Sequence, residues 1–331
     1  MALLVFYILI LTSVYAQSKK PNILFLLADD LGWTNVGYHM HRYDSSNKEV
    51  NTPNIDYLVQ NGLEMDKHYV YYVCSPTRSS IQSGRLPVHD NLSNSAAQGN
   101  VYSGVPPNYT CIAERLHGDA GYNTHFVGKW DAGSTVIEQT PLGRGYKDSF
   151  GYLNHMNDYW NEGDGRCNVN GEEILIIDLW DTDHPASTDN GTKYEEFMFA
   201  ERIYQHIDDA AKTPDVPFFI FYAAHIAHSP VQIPKEYLNS WDNDETLCGQ
   251  YDFNDVVDPV YPGFNTSTDN WHCRSIYQSM VNLLDIIIGN ITAKLKANGQ
   301  WDNTLIVYSS DNGGEINLDE TAANNYPFRG A

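Results

Sequence analysis

Residues 22–30 read NILFLLADD, a short apolar run that ends in two carboxylates. A near-continuous apolar run of this length is typical of a strand that is buried on both faces of a parallel sheet. Three further runs have the same character: THFV at 124–127, PFFIFYAA at 217–224 and TLIVYS at 304–309. These four runs predict the strands of one sheet.

Helical patterns lie between these runs. The segment TPNIDYLVQNG carries Pro53 where a first helical turn is expected and Gly62 as a stop. Residues 194–211 and 275–297 repeat apolar side chains at helical spacing. Strands that alternate with helices predict an α/β fold, with a mostly parallel sheet flanked by helices. The polar, acidic and turn-rich residues 242–270 are predicted to form a surface insertion.

Polar side chains follow every predicted strand. Ligands of open parallel sheets bind beyond the carboxyl ends of the strands, so one shared site is the economical explanation. The carboxylate and amide oxygens among these side chains are hard ligands that suit Ca²⁺ or Mg²⁺. A carboxylate after a strand is, however, also a common helix cap. The strand-end residues are Asp29 and Asp30, then Lys129 and Asp131, then His225 and His228, and finally Asp311 and Asn312.

The net charge of −22, from 42 acidic and 20 basic residues, argues against a nucleic-acid partner, which requires a basic surface. An anionic substrate would instead need a local positive pocket, for which Arg78 and Lys129 are candidates. Lys129 could equally be a solvated strand end. His228 could be a core histidine, but Pro230 favours a loop there, where functional residues are common.

The first 16 residues, MALLVFYILILTSVYA, are predicted to be a signal peptide, since the apolar run is too short to span a bilayer. No later segment has the apolar length of a membrane helix. We therefore expect the secretory pathway, with a lysosomal or extracellular destination. Five glycosylation sequons fit that compartment: Asn91, Asn108, Asn190, Asn265 and Asn290.

The five cysteines leave one unpaired if the others form disulfides. Cys74 is placed just before a predicted short helix, SPTRSSIQSG, and a helix N-terminus beside Arg78 would lower the pKa of its thiol. It is therefore a candidate nucleophile, with a disulfide partner or an inert core thiol as alternatives. The remaining cysteines can pair, and Cys248 with Cys273 is the preferred pair: Cys111, Cys167, Cys248 and Cys273.

The residues CSPTR at 74–78, followed by SG and GR, resemble the sulfatase signature C-x-P-x-R, whose cysteine is oxidised to formylglycine. Other segments resemble the family in the same order: PNILFLLADDLGW, TPNIDYLVQNG, AGYNTHFVGKW, HSPVQIPKEY, DNGG and NNYPFRG. The chain is most similar to the arylsulfatase B branch, from Pro21 to Ala331. The resemblance implies an alkaline phosphatase-like fold, with a catalytic domain over residues 17–331.

The resemblance also implies the roles of the site residues. The hydrated aldehyde of modified Cys74 would attack sulfur, His228 would protonate the leaving alcohol, and Arg78 and Lys129 would stabilise the gem-diol and the sulfate. The substrate would be an aryl sulfate or a sulfated carbohydrate, such as an N-acetylgalactosamine sulfate, and a formylglycine-generating enzyme would be a partner. The implied Ca²⁺ ligands are Asp29, Asp30, Cys74, Asp311 and Asn312.

The chain departs from the family pattern in three places. Asp131 stands where the family has histidine after GKW, SSIQSG is unusually polar, and Ala331 ends the chain before an expected lysine and C-terminal domain. Asp131 is expected to be ionised and a weak base. We therefore expect a sulfatase domain that is incomplete at its C-terminus. A non-catalytic, secreted sulfatase-like protein and a phosphohydrolase relative are the alternatives.

Overall fold

The computed structural model describes residues 19–65, 67–90, 103–186, 188–239, 273–316 and 323–328. The predicted signal peptide, the predicted insertion at 242–270 and the residues Asn91, Cys248 and Asn265 lie outside these ranges, as do the side chains of Cys167 and Cys273. The predicted disulfide between Cys248 and Cys273 therefore stays a prediction.

The described residues form nine strands, together with six helices that are each longer than three residues. The strands are β1 (Asn22–Ala28), β2 (Asn123–Lys129), β3 (Asp148–Tyr152), β4 (Gly163–Val169), β5 (Glu172–Ile177), β6 (Trp180–Asp181), β7 (His184–Pro185), β8 (Phe218–Ala223) and β9 (Thr304–Ser310). The helices are α1 (Gly37–Tyr43), α2 (Pro53–Gln60), α3 (Cys74–Ser83), α4 (Ile112–Gly118), α5 (Glu195–Lys212) and α6 (Cys273–Ala297).

Seven strands form one sheet in the order β7-β6-β3-β2-β8-β1-β9. The pairs from β3 to β9 are all parallel, whereas β6 and β7 add an antiparallel edge. The four strands predicted from apolar runs are β2, β8, β1 and β9, which are consecutive neighbours in this sheet. The prediction of a mostly parallel sheet flanked by helices is therefore confirmed. Strands β4 and β5 form a separate hairpin.

The central strand β8 is buried along its whole length, because both faces of the sheet are covered. Its Ile220 and Tyr222 belong to a hydrophobic cluster with side chains of α5 and α6. Its Phe219 and Phe221 belong to a second cluster, on the opposite face, that includes residues of α4. This two-sided burial explains why the strand has a continuous apolar sequence instead of an alternating one.

The predicted helices are present with small shifts at their ends. Helix α5 starts at Glu195 instead of residue 194, and α6 starts at Cys273 instead of residue 275. Cys74 is the first residue of α3, whereas the sequence pattern placed it just before that helix. Gly84, at φ 69°, ends α3 in the left-handed conformation that glycine adopts at helix ends.

Strand β9 is at an edge of the sheet, and within the described ranges it pairs only with β1. Leu305 on this strand is 53% exposed.

The described helices include none with the length and apolar character needed to cross a bilayer.

Candidate active site

The carboxyl ends of the four neighbouring strands β2, β8, β1 and β9 bring the predicted site residues together. Asp29 and Asp30 follow β1, Lys129 is the last residue of β2, and Asp311 follows β9. The three carboxylates and Lys129 are at most 2% exposed. The interpretation of Lys129 as a solvated strand end is therefore wrong.

A close approach of the backbone determines where Lys129 lies. Gly128 has φ 108°, and a Cβ atom at this position would lie 1.8 Å from the carbonyl oxygen of Ala223 on β8. Only glycine allows the two strands to approach so closely in this conformation. The next residue, Lys129, then directs its ammonium group to Asp29, with Nζ 2.8 Å from Oδ2.

Arg78, from the second turn of α3, joins two of the strand ends. Its Nε donates to Asp311 Oδ2 over 2.9 Å, and its Nη2 lies 2.7 Å from the same oxygen and 3.3 Å from Asp29 Oδ1. Its Nη1 also donates to the backbone carbonyl of Lys129 over 2.8 Å. The guanidinium group therefore fixes α3 against β2, β1 and β9.

Burial and charge act against each other on these groups. Burial would raise the pKa of Asp29, but Lys129 and Arg78 hold the pKa below its ordinary value. The pKa of Asp311 is raised to about 6, because it is buried beside the charge of Asp29. Burial would lower the pKa of Lys129, but Asp29 raises it above its ordinary value. Both Asp29 and Lys129 are therefore charged.

The residues present fit a bound divalent cation. Among the described residues, three buried oxygens of this site accept no hydrogen bond: Asp29 Oδ1, Asp30 Oδ2 and Asn312 Oδ1. Buried polar atoms are almost always satisfied, so such a group requires a partner. The three carboxylates also outnumber the two cations Arg78 and Lys129. Carboxylate and amide oxygens are the ligands that Ca²⁺ prefers.

Asp30 is positioned by its backbone as much as by its side chain. Its φ of 49° is in the left-handed region, which few residues other than glycine adopt. Its backbone nitrogen donates to Asp311 Oδ1 over 3.2 Å, and its side chain accepts from Asn312 Nδ2 over 2.5 Å. Tyr277 of α6 donates its hydroxyl to the carbonyl oxygen of Asp30 over 2.6 Å. The sequence pattern gave no indication of Tyr277, which lies within an ordinary helical repeat.

Cys74 lies at the centre of this group, buried, with Sγ 3.9 Å from Asp30 Oδ1. Burial raises the pKa of its thiol well above the ordinary value, and the carboxylates of Asp311, Asp29 and Asp30 raise it further against the effect of Lys129. The expectation of a lowered thiol pKa is therefore wrong, because burial of the thiol and the three nearby carboxylates outweigh the effect of Lys129. Cys74 is free, which agrees with the expectation that it is unpaired.

Cys111 is one of the four cysteines that can pair, and because the side chains of Cys167, Cys248 and Cys273 lie outside the described residues, its pairing stays a prediction. Within the described part of the chain, Cys111 is a free, buried thiol at the start of α4. Burial raises the pKa of its thiol to about 12, so it behaves as a small apolar side chain.

His228 is in the segment after β8, and its Nε2 lies 3.7 Å from Asp30 Oδ2. Its Nδ1 lies 2.6 Å from the carbonyl oxygen of Ser229. Because a carbonyl can only accept, Nδ1 carries the hydrogen and Nε2 is directed at the site. One ligand-type atom from each of Asp29, Asp30, Cys74 and His228 lies within 4.8 Å of the others.

A buried network behind His228 holds this segment in place. Glu196 of α5 accepts hydrogen bonds from the backbone nitrogens of His225 and Ile226, at 2.5 and 3.1 Å, and from the hydroxyl of Tyr222. Tyr159 donates to the carbonyl oxygens of both His225 and His228. His225 is fully buried, its Nδ1 lies 2.9 Å from Glu195 Oε2, and its ring lies 5.8 Å from that of His228, so it links α5 to the segment that carries His228.

Asp131 is paired with a histidine that the sequence pattern did not indicate. Its Oδ1 accepts from Ser75 Oγ over 2.8 Å, and its Oδ2 lies 3.1 Å from His155 Nδ1. Burial would raise the pKa of Asp131, but the hydrogen bond from His155 and the charge of Lys129 bring it below its ordinary value. The expectation that Asp131 is ionised therefore agrees with the structure.

His155 faces the same centre from the loop after β3. Its side chain is 33% exposed, and its ring lies 5.3 Å from that of His228. One ligand-type atom from each of Cys74, His155 and His228 lies within 4.8 Å of the others. The site therefore holds His155 next to Cys74 in addition to the predicted His228.

Comparison with known proteins agrees with this geometry. The family model described as Sulfatase matches residues 21–331. The chain belongs to the sulfatase family. Arylsulfatase J from Mus musculus is 31% identical over 317 residues, which cover 96% of this chain and 46% of that protein. N-acetylgalactosamine-6-sulfatase from Homo sapiens is 27% identical over 320 residues, which cover 94% of this chain and 53% of that protein.

Solved structures agree with the sulfatase fold. The crystal structure of Ps i-CgsB superposes with a TM-score of 0.71 at 27% identity, covering 94% of this chain and 62% of that one. The same protein has also been crystallised in complex with k-i-k-neocarrahexaose. The chain thus spans about half the length of the curated relatives that it matches. The expected arylsulfatase B branch stays a prediction, since the comparisons support the family and not that subtype.

Proposed function

We propose that this chain is the catalytic part of a sulfatase that hydrolyses sulfate monoesters, with Cys74 oxidised to formylglycine and one Ca²⁺ ion bound beside it. The observation that carries the proposal is the meeting of Cys74, two buried cations and three buried acceptor oxygens without donors at neighbouring strand ends. A buried cluster of cations and carboxylates whose pKa values are shifted by burial and by one another is a candidate for catalysis.

Ca²⁺ would be held by the oxygens of Asp29, Asp30, Asp311 and Asn312, together with the modified Cys74. A bound cation supplies positive charge to the oxygens of a sulfate ester. The modified residue supplies a hydrated aldehyde, whose oxygen is a nucleophile toward sulfur. Oxidation of the thiol also removes the obstacle of its raised pKa, because the attacking atom is then oxygen.

The unmodified residues have separate roles in this proposal. Arg78 and Lys129 place fixed positive charges at the centre, where they orient an anionic substrate and stabilise the charge that develops during the reaction. His228 directs Nε2 toward the same space, so it is placed to protonate the departing alcohol. Glu196 and Tyr159 hold the segment that carries His228.

The substrate class follows from chemistry and from the relatives together. Arg78 and Lys129 are buried cations in a strongly acidic protein, which suits a small anionic group on a neutral carrier. Relatives are named for sulfated N-acetylgalactosamine and for aryl sulfates. We therefore propose a sulfated carbohydrate as the natural substrate, with aryl sulfates as convenient test compounds. A secretory location and a formylglycine-generating enzyme as partner belong to the same proposal.

The alternative of a non-catalytic sulfatase-like protein is not favoured. It was motivated by the expected lack of a C-terminal region and by Asp131, but that carboxylate lies beside His155, so an imidazole is still present next to Cys74.

The test is to produce the full protein together with a formylglycine-generating enzyme. Peptide mass spectrometry should show aldehyde at Cys74, and a chromogenic aryl sulfate should be hydrolysed when Ca²⁺ is present. A Cys74→Ala variant and the corresponding aryl phosphate are the controls. Modified, calcium-loaded protein that hydrolyses neither aryl sulfates nor sulfated N-acetylgalactosamine would contradict the proposal.

A further inference from the structure

A second cluster of ligand-type side chains lies near the opposite end of the sheet. His125 is near the start of β2, Asp148 is the first residue of β3, and His206 is on α5. His125 and Asp148 are direct partners in the parallel register. Lys129 is four residues further along β2 than His125, which corresponds to about 13 Å of extended strand. The cluster is therefore separate from the candidate active site.

The three side chains converge on one point. Asp148 directs one carboxylate oxygen to each histidine, with Oδ2 2.7 Å from His125 Nδ1 and Oδ1 3.0 Å from His206 Nε2. The two imidazole rings are stacked, with centroids 4.0 Å apart and planes inclined by 25°. One ligand-type atom from each residue lies within 4.8 Å of the others. The strands β2 and β3 and the helix α5 thus contribute one potential metal ligand each.

The second of these contacts is poorly aligned for a hydrogen bond. Within the described residues, His206 Nε2 and Asp148 Oδ1 are buried atoms that no well-aligned hydrogen bond satisfies, although they are 3.0 Å apart. His206 as a whole is only 9% exposed, so water does not readily satisfy it. Buried polar atoms of this kind require a partner. A cation bound to both atoms would supply it.

We propose that His125, Asp148 and His206 bind a single first-row divalent cation, with Zn²⁺ the best match. Two imidazole nitrogens and one carboxylate oxygen are a ligand set typical of three-ligand zinc centres, which leave one position for water. The side chains of His125 and Asp148 are 15% and 30% exposed, so water can reach that position. Ca²⁺ is a poorer match, because it takes oxygen ligands almost exclusively.

The surrounding charges permit such an ion. Arg202, one turn before His206 on α5, is the nearby cation that acts on the cluster, and it is paired with Asp181. Its charge is therefore largely compensated by another carboxylate. The bound ion would connect β2 and β3 to α5, the helix whose first turn carries Glu195 and Glu196. The effect expected is stabilisation of this packing, and it does not depend on the proposed sulfatase activity.

The test uses the full protein without a polyhistidine tag, stripped of metal by a chelator and titrated with ZnCl₂. Calorimetry should show one Zn²⁺ per chain, Zn²⁺ should raise the melting temperature, and Co²⁺ should give visible absorption that Zn²⁺ displaces. The variants His206→Gln and Asp148→Asn should each weaken Zn²⁺ binding by about 100-fold or more, since even indirect changes around a metal cost 10–100-fold.

Two further variants separate this site from other sources of binding. The variant with Cys74→Ala and His228→Ala, which removes two members of the Cys74, His155 and His228 group, should keep the Zn²⁺ site, and His184→Ala, which removes an exposed histidine beside Asp183, should keep it as well. If His206→Gln does not fold, His125→Gln replaces it, because His125 is less buried. Absence of Zn²⁺ binding by the parent protein would overturn the proposal. So would Zn²⁺ binding that survives in folded His125→Gln and Asp148→Asn.

Discussion

Nδ1 of His155 lies 3.1 Å from Oδ2 of Asp131, and this pair borders Cys74 on the side where His155 is partly open to solvent. A histidine that donates from Nδ1 to a buried carboxylate has its orientation and its tautomer fixed by that contact. The pair is therefore arranged as a general base would be, beside the residue that is proposed to carry the nucleophile.

The first prediction concerns this pair. In the modified enzyme, His155→Ala should lower the turnover of an aryl sulfate by about 100-fold or more, which is the usual effect of losing a general acid or base. Asp131→Asn should have a smaller effect, because an amide oxygen can still accept from His155 but carries no charge. The steady-state rate is the measurement, with His184→Ala as a surface control. Parent-like turnover of His155→Ala would show that His155 has no part in the reaction.

The second prediction concerns Ca²⁺. Calorimetry should show one site in the parent protein, and this site should be lost in the variant with Asp30→Ala and Asn312→Ala, because both supply buried oxygens that have no donor. Saturation at about 100 times Kd should raise the free energy of unfolding by about 2.7 kcal/mol. Asp285→Asn, which changes a buried carboxylate between α2 and α6, should keep the site. Unchanged Ca²⁺ binding in the double variant would refute the assignment.

The third prediction concerns the segment that carries His228. Glu196→Gln replaces an acceptor of two backbone N–H groups by an amide, so His225 and Ile226 lose part of their support. We expect kcat to fall by about 10-fold or more, with a smaller change in KM, since a misplaced catalytic group affects the reaction more than binding. Glu201→Gln is the matched control, because Glu201 is on the exposed side of the same helix. Equal kcat values for the two variants would exclude a positioning role.

The fourth prediction concerns the pH dependence of stability. Glu162 is fully buried, and burial raises its pKa to about 8. The folded protein therefore keeps this proton up to about pH 8, whereas the unfolded chain releases it near pH 4.3. Between these values the folded state binds more protons, so this group makes the protein less stable as the pH rises.

Glu162→Gln should remove this contribution. The variant should gain stability relative to the parent at about pH 8 compared with about pH 5, by an amount on the order of a few kcal/mol. Denaturant unfolding at both pH values measures the difference. Glu236→Gln, on the exposed surface, is the control. A parent and a variant whose stabilities change in parallel with pH would contradict the raised pKa.

The fifth prediction concerns glycosylation. The side-chain amide of Asn190 uses its nitrogen to donate both to the carbonyl oxygen of Asn161 and to Glu162 Oε2, at 2.5 and 2.8 Å. An N-linked sugar replaces one of the two amide hydrogens, so one of these bonds would be lost. Asn108 and Asn290 are exposed. Peptide mapping of the folded, secreted protein should therefore find glycans at Asn108 and Asn290 and little at Asn190. High occupancy at Asn190 would show that these bonds are dispensable.

The sequence predicted most of the central sheet, because its strands are buried on both faces and read as apolar runs. It also predicted Asp29, Asp30, Lys129 and Asp311 as neighbours, since the carboxyl ends of parallel strands meet at one edge. Strand β3 was not predicted. Its sequence DSFGY is short and polar at its start, so it lacks the continuous apolar character of the other strands.

The undetected parts of the site come from contacts between distant segments. His155 reaches Asp131 through the loop after β3, and the failure to predict that strand hid the contact. Tyr277 binds the backbone of Asp30 from a helix 247 residues away in the chain. No local spacing or composition indicates such a pair. The error about the thiol pKa has a related origin, because the main cause of the raised pKa is the burial of Cys74, which depends on how distant segments pack around it.

The left-handed backbone at Asp30 has a counterpart at Asp131, with φ of 49° and 46°. Apart from glycine, aspartate, asparagine and histidine are the residues that adopt this conformation most readily. Glutamate and glutamine would keep the oxygen donors but would strain the chain at either position. A mutant library at residues 30 and 131 should therefore be enriched, among its most stable folded members, in glycine, aspartate, asparagine and histidine, and functional protein should come from fewer residue types. The backbone conformation at positions 30 and 131 therefore restricts which amino acids can occupy them, in addition to the restriction set by the chemistry of the site.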